Sequence, residues 1–230
     1  MRYIFSSYII ICILLVVAFS CKRKSHEEKS DEGTIEYRII YPDEKIGSVS
    51  PSLLPQTMEV KFKKDKLKNT IEGAMGFFSL INITDLNELT NATFLKFIDK
   101  KYVYIGQKKE KPVIMKPLEG MKITFTDETK EIIGLTGKKA IISFPGTDID
   151  SFPIYYTTEI NFKNPNIISP YKDIPGVLLE FRANLGQSEI QMIAENYKIE
   201  NLPDKEFHFP RNYREISKQD MERILNALLE

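Results

Sequence analysis

Tryptophan is absent from this 230-residue chain, and cysteine and histidine occur only twice each, at Cys12 and Cys21 and at His26 and His208. Each scarcity removes a class of chemistry. With no cysteine after Cys21, the rest of the chain can hold no internal disulfide and no thiolate metal site. Neither histidine has a second ligand-type residue at metal spacing. His26 sits in a charged stretch, and His208, between Phe207 and Phe209, reads as a strand or loop residue. An excess of charge is lacking too. Lys and Arg total 32 against 32 Asp and Glu, which leaves no basic field for nucleic acid and no acidic surplus for storing cations.

Catalytic patterns are missing as well. No G-x-S-x-G elbow presents a serine nucleophile. Gly134-Leu135-Thr136-Gly137-Lys138-Lys139 echoes a phosphate loop, but its glycines are too close together and no Ser or Thr follows the first lysine. It reads as a turn into a strand. Asp148, Asp150 and Glu159 echo a calcium loop, yet Phe152 and Pro153 stand where a ligand and the turn glycine belong. They read as solvated turn acids. Asn82-Ile83-Thr84 and Asn91-Ala92-Thr93 match the eukaryotic glycosylation rule. The expectation is a non-enzymatic protein with no cofactor, no metal and no nucleic-acid partner. A hydrolase ranks third, requiring carboxylates that meet only in space.

What is present begins with an apolar run. Residues 8–19 have the length of a signal-peptide core and are too short to span a hydrocarbon layer of ~30 Å. Including Tyr3, Ile4 and Phe5 brings the run to a marginal spanning length, so a retained anchor is the competing reading. Ala18-Phe19-Ser20-Cys21 resembles the bacterial lipoprotein box, in which small residues precede a cysteine that is lipidated and becomes the new N-terminus. Lys22, Arg23 and Lys24 also lie on the wrong side of the run for a retained anchor with positive residues inside. The resemblance implies a signal peptide over 1–20 and a lipid at Cys21. The mature protein would then be anchored in the envelope of a Gram-negative bacterium, on the outer membrane facing the periplasm.

Residues 22–32 are wholly polar, with four charges of each sign, and cannot bury enough surface to fold. Residues 21–32 are therefore expected to be a lipidated cysteine and tether, and 33–230 a single domain. That domain has a length sufficient for a sizeable core.

Alternation of period two dominates it. Ile35, Tyr37, Ile39 and Tyr41 share one strand face opposite Glu36 and Arg38, with Pro42 ending the strand. Met58, Val60 and Phe62 alternate with Glu59, Lys61 and Lys63, and Tyr102 and Tyr104 with Val103 and Ile105. Ile154, Tyr156, Thr158, Ile160 and Phe162 predict a single strand face, and Val177, Leu179, Phe181 and Ala183 another. Residues 185–188 turn the chain into a partner strand over 189–199, whose change of phase predicts a bulge near Glu195. Ten or eleven strands are expected. At the C-terminus Ser217 and Asp220 predict a capped helix, with Ile216 and Met221 as a staple. Met221, Ile224, Leu225 and Leu228 form its apolar stripe.

Size constrains the shape. Such a helix covers about 200 Å², whereas ten strands present about 1,000 Å² on one face. The sheet must curl, pack on a second sheet or hold an apolar ligand, and curling is the simplest course for an antiparallel meander.

Two stretches carry a resemblance. Residues 128–140, ETKEIIGLTGKKA, are similar to a passage in envelope families of the GLPGLI and LolA-like type. Asp173-Ile174-Pro175-Gly176-Val177-Leu178 resembles the GLPGLI stretch itself, with Asp173 in place of its first glycine. The resemblance implies a mainly β domain over 33–230, a curved antiparallel half-barrel with a C-terminal amphipathic helix. Its concave face would receive an apolar ligand or a lipoprotein acyl chain. The alternative is a structural or interaction module of the envelope with a self-filled core and an envelope protein as partner. The Pro175-Gly176 pair is expected to preset a turn and permit close backbone approach.

Overall fold

The computed structural model describes residues 31–41, 54–73, 76–113, 120–185 and 188–229. The apolar run, Cys21, Pro42 and the 186–187 turn lie outside the described residues. So does the proposed tether, except Asp31 and Glu32.

Twelve strands form one sheet: β1 (Glu32–Ile40), β2 (Thr57–Lys63), β3 (Lys66–Glu72), β4 (Phe78–Asp85), β5 (Thr90–Phe97), β6 (Lys100–Ile105), β7 (Lys122–Ile132), β8 (Leu135–Ser143), β9 (Phe152–Thr157), β10 (Val177–Leu185), β11 (Ser188–Ile199) and β12 (Arg214–Glu215). Their order across the sheet is β12-β6-β5-β4-β3-β2-β1-β11-β10-β9-β8-β7. The first six strands thus form one meander and the next five another, joined where β1 pairs with β11. Every pairing is antiparallel except β12 with β6. The sheet is mainly β and curved, as expected, but β12 and β7 do not meet, so it remains open.

Alternation explains the register. Ile35, Tyr37 and Ile39 are buried, while Glu36 and Arg38 face outward, and Met58, Val60 and Phe62 continue the buried face on β2. The bulge falls where the change of phase places it. Glu36 pairs with Asn196 but Tyr37 with Ala194, leaving Glu195 as the extra residue. The β7–β8 turn has positive φ at both Ile133 (51°) and Gly134 (77°), the conformation of a two-residue hairpin turn. The glycine of the 128–140 passage therefore serves the turn and not a phosphate.

Three expectations are corrected. β1 begins at Glu32, one residue before the expected start of the domain, and this carboxylate pairs with Lys63 and accepts from the Leu202 N–H. The strand expected to run through Phe162 ends at Thr157. Ile160 and Phe162 are buried instead in an irregular connection, 158–176, that folds onto the inner face as a plug. Twelve strands form, since a two-residue strand adds to the edge at β6.

The inner face carries one core, with the plug's Ile160, Phe162, Ile168 and Ile174 packed among residues of both meanders. Phe162 lies on Phe62 with ring centroids 4.8 Å apart. A helix, α1 (Lys218–Leu229), adds Met221 and Leu225 to the same core, with Ile216, Ile224 and Leu228 packed against it. Its start is capped as the sequence predicts: the Asp220 N–H donates to Ser217 Oγ at 3.1 Å and Ser217 Oγ to Asp220 Oδ2 at 2.9 Å.

The sequence pattern did not foretell a second core on the outer face, where Ile83, Ala92, Phe94 and Val103 are buried. The chain between β11 and α1 runs back across this face as a strap. Phe209 and Tyr213 each place their rings 5.2 Å from that of Phe94. Glu206 pairs with Lys61 and Lys68, and Asp204 with Lys63. Among the described residues, no helix is long and apolar enough to cross a membrane.

Candidate functional site: the cleft beneath the plug

The plug is held by side chains that its own sequence supplies. Asn166, 6% exposed, donates from Nδ2 to the carbonyls of Ile174 (3.1 Å) and Gly176 (2.8 Å). Tyr171 donates its hydroxyl to the Arg182 carbonyl at 2.7 Å, and Tyr37 reaches the Leu178 carbonyl at 2.7 Å. Burial pushes the phenols of Tyr37 and Tyr171 far above the usual tyrosine range, so both stay neutral donors. Tyr171 and Tyr37 also place their rings edge-on to Phe181, with centroids 6.1 and 5.8 Å away.

Pro175 and Gly176 close the plug just before β10. Pro175 is exposed and Gly176 buried. A Cβ on Gly176 would stand 2.1 Å from the Thr157 carbonyl oxygen, so the glycine is required by the approach of two backbones. The pair also borders an open surface depression of about 310 Å³, shared with Thr158, Asn161, Lys163 and Asn164. Nothing there converges as a catalytic group.

Beneath the plug a cleft of about 70 Å³ remains. Its walls are apolar, formed by Ile35, Val60 and Phe62 from β1 and β2, Leu178 and Phe181 from β10, and Phe162 from the plug. Among the described residues, three polar ones, Asn69, Asn166 and Ser169, interrupt them, and no charged residue lines the cleft. The lysines of β2 and β3 point to the opposite face, toward the strap.

Asn69 belongs to a polar row that the period-two pattern hides. It stands opposite Asn82, Asn82 opposite Thr93, and Thr93 opposite Tyr104. Asn82 and Asn91 are 1% and 3% exposed. The Asn82 amide donates to the Ala92 carbonyl and Thr93 Oγ1, and Asn82 Oδ1 accepts from Thr84. The two Asn-x-Thr stretches are thus a buried network. The row ends at Tyr104, whose hydroxyl donates to Glu110 Oε2 at 2.6 Å, and Glu110 also accepts from Lys218 at the start of α1. Burial opposes the charge on Glu110, but donors from Lys218, Tyr104 and the Gln107 N–H outweigh it and hold the carboxyl at about 2.

The remaining sequence candidates do not converge. Asp148, Asp150 and Glu159 are exposed, as is His208, and Cys21 and His26 lie outside the described residues. Among the described residues, no cluster of three or more His, Cys, Asp or Glu could hold a metal ion. Neither a protein-family model nor a curated protein matches the chain.

Proposed function

We propose that this chain is a non-enzymatic lipoprotein of a Gram-negative envelope, lipidated at Cys21, whose β half-barrel is filled by its own residues and acts through contacts with an envelope partner. One observation carries this reading. The inner face, where an acyl chain would lie, is occupied by the 158–176 plug, and the space left is about 70 Å³. Ligand pockets of drug size measure about 300–1,000 Å³, and a cavity of about 150 Å³ accommodates benzene. An acyl chain needs the plug to leave, at the cost of exposing Phe162, Ile168 and Ile174.

Affinity to the LolA-like and GLPGLI-type families is part of the proposal. It is supported by the open curved sheet, the C-terminal helix and the close backbone approach that requires a glycine at Gly176. Anchoring rests on the lipoprotein-box resemblance around Cys21.

Two measurements test the reading. Native mass spectrometry of the purified protein, with uptake of a fluorescent fatty acid, is expected to give an apo mass and no saturable uptake. A solvent-extractable lipid adduct would replace the filled module with a carrier. Metabolic lipid labelling is expected in the wild type and lost in Cys21→Ala; unchanged labelling would remove the anchor.

A further inference from the structure

The cleft is too small for an acyl chain, yet its chemistry is not that of a packing defect. A void left by imperfect packing is lined by apolar atoms and stays dry. Here three polar residues, each at least nine-tenths buried, turn toward one space: Asn69 at 5% exposure, Asn166 at 6% and Ser169 at 6%.

Each has hydrogen-bonding capacity that the protein does not use. Among the described residues, the Asn69 carboxamide has no hydrogen-bond partner, although its neighbour Asn82 is fully engaged. Asn166 spends both its donors on the carbonyls of Ile174 and Gly176, leaving Oδ1 free to accept. Ser169 Oγ accepts from the Tyr171 N–H at 3.1 Å, which leaves its hydroxyl proton to donate. No fully buried side-chain nitrogen or oxygen among the described residues lacks a partner. The idle atoms of Asn69 and Asn166 therefore open into the cleft. An amide screened from water without a partner is costly, and the fold sets the unpartnered Asn69 carboxamide, with the unused Asn166 Oδ1, on an otherwise apolar surface.

We propose that this cleft is a binding site for a small, uncharged molecule with an apolar body and one amide, hydroxyl or carbonyl group, which Asn69, Asn166 and Ser169 recognise. Neutrality follows from the lining. Among the described residues, no lysine, arginine or histidine borders the cleft, so an ionised carboxylate would lose its water without gaining a counter-charge. Size follows from the volume. About 70 Å³ admits a body of a few heavy atoms, scaled from benzene in about 150 Å³. The free amide can donate and accept at once, which suits a primary amide best. This inference goes beyond the anchoring and filled-module reading and does not depend on it, because a ligand of this size leaves the plug in place.

The test compares acetamide with acetate, which share a shape and differ in charge. Two-dimensional amide NMR of the full chain, carried in detergent where the anchor requires it, is titrated with each at pH 7. The expected result is saturable shifts at Asn69, Asn166 and Ser169 with acetamide in the millimolar range, and binding of acetate at least tenfold weaker. Equal affinity for the two, or no saturable shift with acetamide at 50 mM, would overturn the proposal. Asn69→Leu is expected to weaken acetamide about tenfold; unchanged acetamide affinity counts against the role of Asn69. Should Asn69→Leu not fold, Asn69→Ser serves the same purpose, and the wild-type comparison stands without either variant.

Discussion

Gly176 and Thr157 approach so closely that a Cβ on the glycine would fall 2.1 Å from the Thr157 carbonyl oxygen and 2.8 Å from its carbon. Its φ lies outside the left-handed region, so space rather than backbone conformation excludes a side chain. Gly134 is the opposite case: φ is 77° and nothing lies within 4 Å. Gly176→Ala is expected to cost about 1–3 kcal/mol or more through overpacking. Gly134→Asn should cost well under about 1 kcal/mol, since asparagine tolerates that conformation. Urea unfolding of the two variants checks this. Equal losses would mean that the Thr157 contact relaxes freely.

Phe162 is the plug's main hold on the sheet through its ring contact with Phe62. Phe162→Ala is expected to destabilise the fold by about 3–5 kcal/mol. A double-mutant cycle with Phe62→Ala should return a coupling of about 0.5–1.5 kcal/mol. A coupling near zero would show that the two rings are neighbours without interacting, and that the plug is held elsewhere.

Asn82 is 1% exposed and joins two strands through the Ala92 carbonyl, Thr93 and Thr84. Asn82→Ala should cost about 1–3 kcal/mol, because it orphans buried groups as well as removing bonds. The measurement is chemical denaturation. A loss below about 0.5 kcal/mol would mean that water replaces the amide and that the network is not closed.

Glu110 ties Tyr104 of β6 to Lys218 of α1, and its carboxyl sits at about 2, below the ordinary value of 4.5. A depressed carboxyl contributes stability that is present above the unfolded value and lost as pH falls toward the folded one. Thermal unfolding should therefore lose this contribution between about pH 4.5 and pH 2. Glu110→Gln should remove its part of the slope, while leaving a lower plateau near neutral pH. If the variant and the wild type fall in parallel across that window, the carboxylate does not anchor α1.

Much of the fold was legible because local periodicity is a direct readout of which face is buried. Ile35, Tyr37 and Ile39 show it, and so does the change of phase at Glu195, which a slipped register would otherwise punish along the whole strand. Ser217 and Asp220 likewise announced α1, since capping involves only neighbours in the chain. The same periodicity misled at Ile160 and Phe162. Alternating apolar residues can line a strand or plug a sheet, and the choice depends on what lies opposite. The site was less legible still. Pro175-Gly176 could be picked out, but Asn69, Asn166 and Ser169 look like ordinary polar positions until they meet.

By itself the sequence determined the mainly β class, the strand faces, the bulge and the capped helix. These follow from interactions within a few residues. Only the tertiary structure decided that the sheet stays open at β7, that the 200–217 strap builds a second core on the outer face, and that the 158–176 segment fills the inner one. Those outcomes depend on contacts between residues a hundred or more positions apart, such as Phe62 with Phe162 and Lys61 with Glu206. Such pairings are set by competition among distant apolar and charged surfaces, which no local pattern records.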